Sequence, residues 1–161
     1  MANTLDSFIA YFRRLSEEHL LLKGSCVHGA SGRIISGSRN GLRYPLLWLE
    51  TPSLALNSKD GTAPYGERNS AFIILASAST TDYAAQDAAW VQTEAIALDV
   101  LSYLWRDKKA RKINFDLSER PLEAVATLTV AGEIGWRYEF ALGDYVPITF
   151  DATRWKEQVQ P

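Results

Sequence analysis

Between Thr81 and Lys108 the chain runs without a glycine or proline, through TDYAAQDAAWVQTEAIALDVLSYLWRDK, a stretch rich in Ala, Leu, Gln and Glu. This predicts one long helix set between strands, with Thr81 or Asp82 placed to cap its first free N–H groups. At 3.6 residues per turn, Ala85, Ala89, Ile96, Val100 and Tyr103 form a broad apolar stripe flanked by Trp90, Ala97, Leu101 and Leu104. Val91, Leu98 and Trp105 recur every seventh residue and form a second, narrower stripe well round the helix, beside Asp87 and Glu94. One sheet covers only one of these faces. The second stripe therefore needs another cover, either the N-terminal helix or another subunit. A contiguous apolar patch is something soluble monomers generally avoid leaving wet.

The elements on either side of this helix suggest an α+β order. From Asn3 to about Leu22, the residues Leu5, Phe8, Ile9, Phe12, Leu15 and His19 or Leu20 share one side, with Arg13, Arg14, Glu17 and Glu18 opposite. That is an amphipathic helix capped by Asn3 or Thr4 and stopped at Lys23-Gly24. Residues 25 to 43 are glycine-rich and basic, with Arg33, Arg39 and Arg43 among Gly29, Gly32, Gly37 and Gly41, and Arg33 to Ser36 is a candidate short strand. Pro45 to Glu50 reads as a buried strand ended by Pro52, and the turn signals from Ser53 to Asn69 mark a loop or loose hairpin. Ser70 to Ala76 is a continuous apolar run, as expected of a central strand covered on both faces.

Beyond the helix, Ile113 to Asp116 is a short strand candidate. Leu122 to Val130 and Trp136 to Leu142 form a hairpin across Ala131 to Gly135. In its second arm Trp136, Tyr138, Phe140 and Leu142 alternate with Arg137, Glu139 and Ala141, the period of an antiparallel strand with one wet face. Val146 to Phe150 would add an edge strand, and residues 151 to 161 a frayed or docked tail. Strands and helices do not alternate repeatedly. The expected architecture is thus a single α+β domain over 1–161: a mixed, mainly antiparallel sheet with an N-terminal helix and one long central helix packed on it.

Composition narrows the function classes. With 161 residues, 47% hydrophobic content and a net charge of −2, the chain can bury its own core and is no general binder of duplex nucleic acid. Its apolar runs are too short to span a bilayer and its start lacks a signal-peptide pattern, so a cytoplasmic protein with no membrane partner is expected. The single cysteine, Cys26, excludes an internal disulfide.

Candidate chemistry is thin. Gly24 to Ser31 and Gly32 to Arg39 carry the paired glycines of a phosphate loop without the lysine that reaches the phosphates. Cys26 and His28 share a strand face with no third orienting group. A zinc site wants at least three Cys or His ligands converging, and the chain holds only Cys26, His19 and His28. Asp82, Asp87, Glu94 and Asp99 spread around the helix as a solvated face. No cofactor, metal or catalytic residue is expected, and the chain reads as a non-enzyme. Of the five tryptophans, Trp48 and Trp136 sit in strands as core, whereas Trp105 and Trp155 stand beside Arg106 and Arg154, as rings at interfaces often do.

Four phrases carry a resemblance: Asn40 to Glu50 (NGLRYPLLWLE), Ala71 to Leu75, the helix bearing Trp90, Thr93, Glu94 and Ile96, and Gly135 to Phe140 (GWRYEF). Together they resemble small proteins of bacterial prophage tail clusters, and the element order is similar to that of phage tail-terminator and tail-completion proteins. The likeness spans Thr4 to about Phe150. It implies a structural subunit that forms a homo-oligomeric ring, expected to be hexameric, contacts other tail proteins and is assembled into a virion or tail-like particle. On that reading Val91, Leu98, Trp105 and Trp155 are interface residues, and Arg33, Arg39 and Arg43 contact an anion, a ring lumen or a neighbouring subunit. The alternative is a cytoplasmic ligand-binding module built on the glycine-rich basic loop 29–43.

Overall fold

A computed structural model describes residues 3–30, 41–57, 64–117, 120–126, 132–148, 151 and 153. Among these residues, two helices, α1 (Leu5–Glu18) and α2 (Tyr83–Lys109), accompany a seven-stranded mixed, mostly antiparallel sheet: β1 (Cys26–Gly29), β2 (Leu46–Glu50), β3 (Ser53–Asn57), β4 (Tyr65–Ser77), β5 (Asn114–Phe115), β6 (Leu122–Ala126) and β7 (Glu133–Tyr145). This is the expected α+β class.

The sheet is built outward from β4 and β7. These two 13-residue strands pair antiparallel over their whole length, from Tyr65 opposite Tyr145 to Ser77 opposite Glu133. On the outer side of β4 lie β2 and then β1, the latter in the parallel sense, with β3 continuing the row of β2. Between the pairs Leu49–Phe72 and Ser53–Asn69, three residues (Glu50, Thr51, Pro52) face two (Ser70, Ala71). The surplus residue makes a bulge where Pro52 could not have donated to the ladder. The Ser70 hydroxyl donates to the Glu50 carbonyl at 2.7 Å, and the Thr51 N–H donates to Gly29 at 3.2 Å. On the outer side of β7, β6 and β5 follow one another along the same edge.

Both helices lie on one sheet face. Phe8, Phe12 and Leu15 of α1, Ile96, Val100 and Leu104 of α2, and Leu47, Leu49, Phe72, Ile74, Tyr138 and Phe140 of the sheet make one buried cluster. Phe140 is its hub, with ring centroids at 5.3 Å from Phe12, 6.1 Å from Phe72 and 6.2 Å from Phe8. Trp136 packs edge-on against Trp90 at 5.6 Å and donates its indole N–H to the Trp90 carbonyl at 3.2 Å. The opposite face has a smaller cluster of Leu46, Trp48, Ile73 and Leu75, against which Leu42 and Tyr44 pack.

The caps follow the sequence signals. Thr4 and Ser7 close a capping box on α1, and Asp82 accepts from the Ala85 N–H at 3.0 Å at the start of α2. Several boundaries differ from expectation. Helix α1 stops at Glu18, because the extended His19 lends its Nδ1 to the N–H groups of Leu21 and Leu22 and starts a separate turn. Lys23 and Gly24, both at positive φ, end that turn and not the helix itself. Within Ser53 to Asn69, β3 and the start of β4 pair antiparallel, the hairpin alternative of the sequence reading, and β4 begins at Tyr65 instead of Ser70 because backbone pairing orders its exposed first residues. Conversely, Val146 to Ile148 form no strand: the Val146 N–H reaches the Pro64 carbonyl, but Pro64 has no N–H to return, and the Ile148 N–H turns back to the Val146 carbonyl at 2.9 Å. The proposed strand at Arg33 to Ser36 lies outside the described residues.

Phe140→Ala should cost about 3–5 kcal/mol, since three rings around a fully buried centre cannot collapse into the hole. Denaturant unfolding checks this, and a midpoint equal to wild type would contradict the packing described.

Candidate interaction surfaces

Ala89, Thr93, Ile96, Ala97, Val100, Leu104 and Asp107 of α2 are buried against the sheet. Thr93 fits among them because its hydroxyl donates back to the Ala89 carbonyl at 2.7 Å. The other stripe is open. Val91 is 68% exposed, Leu98 53% and Trp105 37%, so α1 does not cover them. Three of the four expected interface residues thus come together on one wet face, and Trp155 lies outside the described residues. The ammonium groups of Lys108 and Lys109 sit over the Trp105 ring, 4.8 and 5.6 Å from its centroid, and hold it against the helix.

Helix α1 lies beside α2 and is joined to it by polar contacts. The Tyr11 hydroxyl donates to Asp107 Oδ2 at 3.0 Å, and the Tyr103 hydroxyl donates to Glu18 at 2.7 Å. His19 Nε2 meets Asp99 at 3.3 Å. The Asp107 side chain is fully buried and also receives Arg106 at 3.1 Å and Lys112 at 3.5 Å. Burial pushes its carboxyl up, but the hydrogen bonds from Arg106 and Tyr11 outweigh this and leave it below the ordinary carboxylate value. Burial, and then the Asp107 charge, raise the Tyr11 hydroxyl well above its ordinary value. Nothing in the sequence pattern marked Asp107, which falls on the core side of a helix whose other acids face water.

Above this node, Ser7, Ala10, Tyr11 and Arg14 of α1 and Arg111, Lys112 and Ile113 line a cleft of about 600 Å³ with a basic rim. At the far end of α1, Asn3 donates to the carbonyls of Gly66 and Asp144 and accepts from Arg68, fixing the helix start to β4. A Cβ on Gly66 would meet the side-chain ends of Val146 and Leu54, which close over Asn3 here.

The opposite sheet face carries a charged row. Arg137 donates through Nε and Nη2 to both carboxylate oxygens of Glu50, at 3.0 and 3.1 Å, and through Nη1 to Glu139 at 2.8 Å. The Glu50 hydrogen bond holds its guanidinium well above the ordinary value.

The remaining candidates do not converge. Burial raises the Cys26 thiol to about 11, so it stays protonated at neutral pH and is a poor nucleophile. Asp82, Asp87, Glu94 and Asp99 are all exposed, and no metal-competent grouping occurs among the described residues. Arg43 is exposed and donates to the Lys23 carbonyl at 2.9 Å, while Arg33 and Arg39 lie outside the described residues, as does most of the loop 29–43. No helix among the described residues is long and apolar enough to cross a membrane.

Comparison with protein-family models, curated proteins and solved structures finds no match to this chain.

Asp107 contributes stability that is present above the ordinary carboxylate value of 3.8 and lost as pH falls through its depressed folded value. Asp107→Asn should therefore cost about 1–3 kcal/mol near pH 7, with the gap to wild type closing as the pH falls from the ordinary carboxylate value through the depressed folded one. Chemical denaturation across pH checks this; a constant gap would contradict the ionised pairing.

Proposed function

We propose that the chain is a non-enzymatic structural subunit that self-associates through the outer face of α2, as a ring-forming component of a phage tail or tail-like particle would. The observation that carries this reading is the exposure of Val91, Leu98 and Trp105 on one line of a helix whose opposite side is already packed on the sheet. A helix that serves one core needs one apolar stripe. A second stripe, wet in the isolated chain, is the pattern of a surface that is buried on assembly.

The location favours a structural role. Helix α2 rests on the rigid β4–β7 pair and is joined to α1 by Asp107 and Tyr11, so the stripe is presented by a fixed element with little order left to acquire on binding. The phage-tail part of the proposal rests on the resemblance of the Asn40 to Glu50 and Gly135 to Phe140 phrases. The self-association part rests on the stripe.

Leu98→Asp combined with Trp105→Glu should give a soluble monomer with a melting temperature close to wild type, because charges at an interface centre oppose association without entering the subunit's own core. Light scattering and thermal melts read both quantities. A variant that keeps the wild-type mass would place the contact elsewhere, and one that unfolds would show that the stripe belongs to the internal core.

A further inference from the structure

The outer face of α2 is laid out symmetrically about Leu98. Val91 and Trp105 lie seven residues to either side of it, and Asp87 and Lys109 lie eleven to either side. Steps of seven and eleven residues both return to within about 20° of the starting direction on an α-helix, so all five positions fall on one line. That line is about 160–200° from Ile96 and Val100, which face the sheet. Read from the N-terminal end, the order is acid, apolar, Leu98, apolar, base. Asp87 and Lys109 are exposed, as the apolar members are.

We propose that this face docks on the same face of a second copy of the chain, antiparallel, with the two-fold axis at Leu98. The proposal rests on the self-association reading above and gives it a partner, an orientation and a register. With the axis there, Leu98 meets Leu98, Val91 of each copy meets Trp105 of the other, and Asp87 of each meets Lys109 of the other. Each side chain finds a partner of its own kind or of opposite charge. An isologous contact requires this kind of self-complementarity, since one patch must fit its own rotated image.

Charge selects the antiparallel sense. From Tyr83 to Ala97 the helix has no lysine or arginine but carries Asp87 and Glu94, whereas its last turn carries Arg106, Lys108 and Lys109. A parallel pairing would set acid against acid at one end and base against base at the other, which costs free energy at both. Antiparallel pairing also opposes the two helix dipoles. Ala84, Ala88, Ala95 and Ser102 flank the line on one side and are exposed, so the two backbones can approach closely. The lysines already gathered over Trp105 keep the basic end compact and beside the ring that would meet Val91. A two-fold contact closes at two chains, so the dimer would be the building block and any larger ring would use a second, different surface.

Single cysteines placed on this face in a Cys26→Ala background test the register, using a short bismaleimide and the full chain. Leu98→Cys should cross-link to itself. Asp87→Cys alone and Lys109→Cys alone should not, because in an antiparallel pair the two copies of either site stand about 33 Å apart at 1.5 Å per residue. An equal mixture of those two variants should cross-link heterotypically. Self-linking of Asp87→Cys would overturn the antiparallel sense, and failure of both Leu98→Cys and the mixture would overturn the α2 pairing. Sedimentation of the uncross-linked proteins separates the two levels: a chain that associates without these links refutes this geometry alone, and a chain that is monomeric throughout refutes the self-association reading as well.

Discussion

The antiparallel ladder between β4 and β7 is the constraint from which the rest of the structure follows. Its pairing runs unbroken from Tyr65–Tyr145 to Ser77–Glu133, and each other strand pairs either with one of these two or with a strand that does. Such a ladder demands close approach near its ends. A Cβ on Gly135 would strike the backbone carbonyl of Ile74, so glycine there is a condition of the register, while Gly143 leaves room for the end of the Tyr65 side chain. Because the register is set, Phe72, Tyr138 and Phe140 emerge on the same face and create the floor on which both helices rest. A shift by one residue would turn these rings to the opposite face.

Upon that floor the helices are positioned by apolar contact and joined to each other by polar contact. Phe8 and Phe12 dock α1 over Phe140, and Tyr11 crosses to the buried carboxylate of Asp107 near the end of α2. An anion near a helix C-terminus is unfavourable on dipole grounds. Here Arg106 and Lys112 offset it, and the arrangement binds the end of α2, the start of the turn that follows and the middle of α1 into one node. Helix α2 is thereby fixed in rotation, with one stripe down and the other up.

Much of this architecture was legible in the chain, for identifiable reasons. Helix α2 announced itself by its unbroken run of helix formers, and β7 by strict alternation from Trp136 to Leu142. Even the second stripe was readable, because a seven-residue spacing survives whatever covers the first. What could not be read depended on pairing partners. Strand β3 is exposed along its length, so the turn signals allowed a loop or a loose hairpin there, and only its pairing with β4 decides for the hairpin. Asp107 looks like any helix acid until Tyr11, 96 positions earlier, is placed against it. The strand expected at Val146 does not form because Pro64, opposite it, has no N–H to continue the ladder and the Ile148 N–H turns back to Val146. For the surface, the seven-residue spacing was visible, but the symmetric placement of Asp87 and Lys109 gained meaning only once the opposite side of the helix was seen to be full.

A helix held this firmly, with an apolar line facing outward between an acidic and a basic end, is the feature on which the proposed self-association rests. The central claim is accordingly one of mass. Sedimentation velocity of the wild-type chain over a wide concentration range tests it most directly. The account predicts a discrete species of two chains or a multiple of two that persists on dilution. A single 18.0 kDa component up to the highest soluble concentration would contradict it.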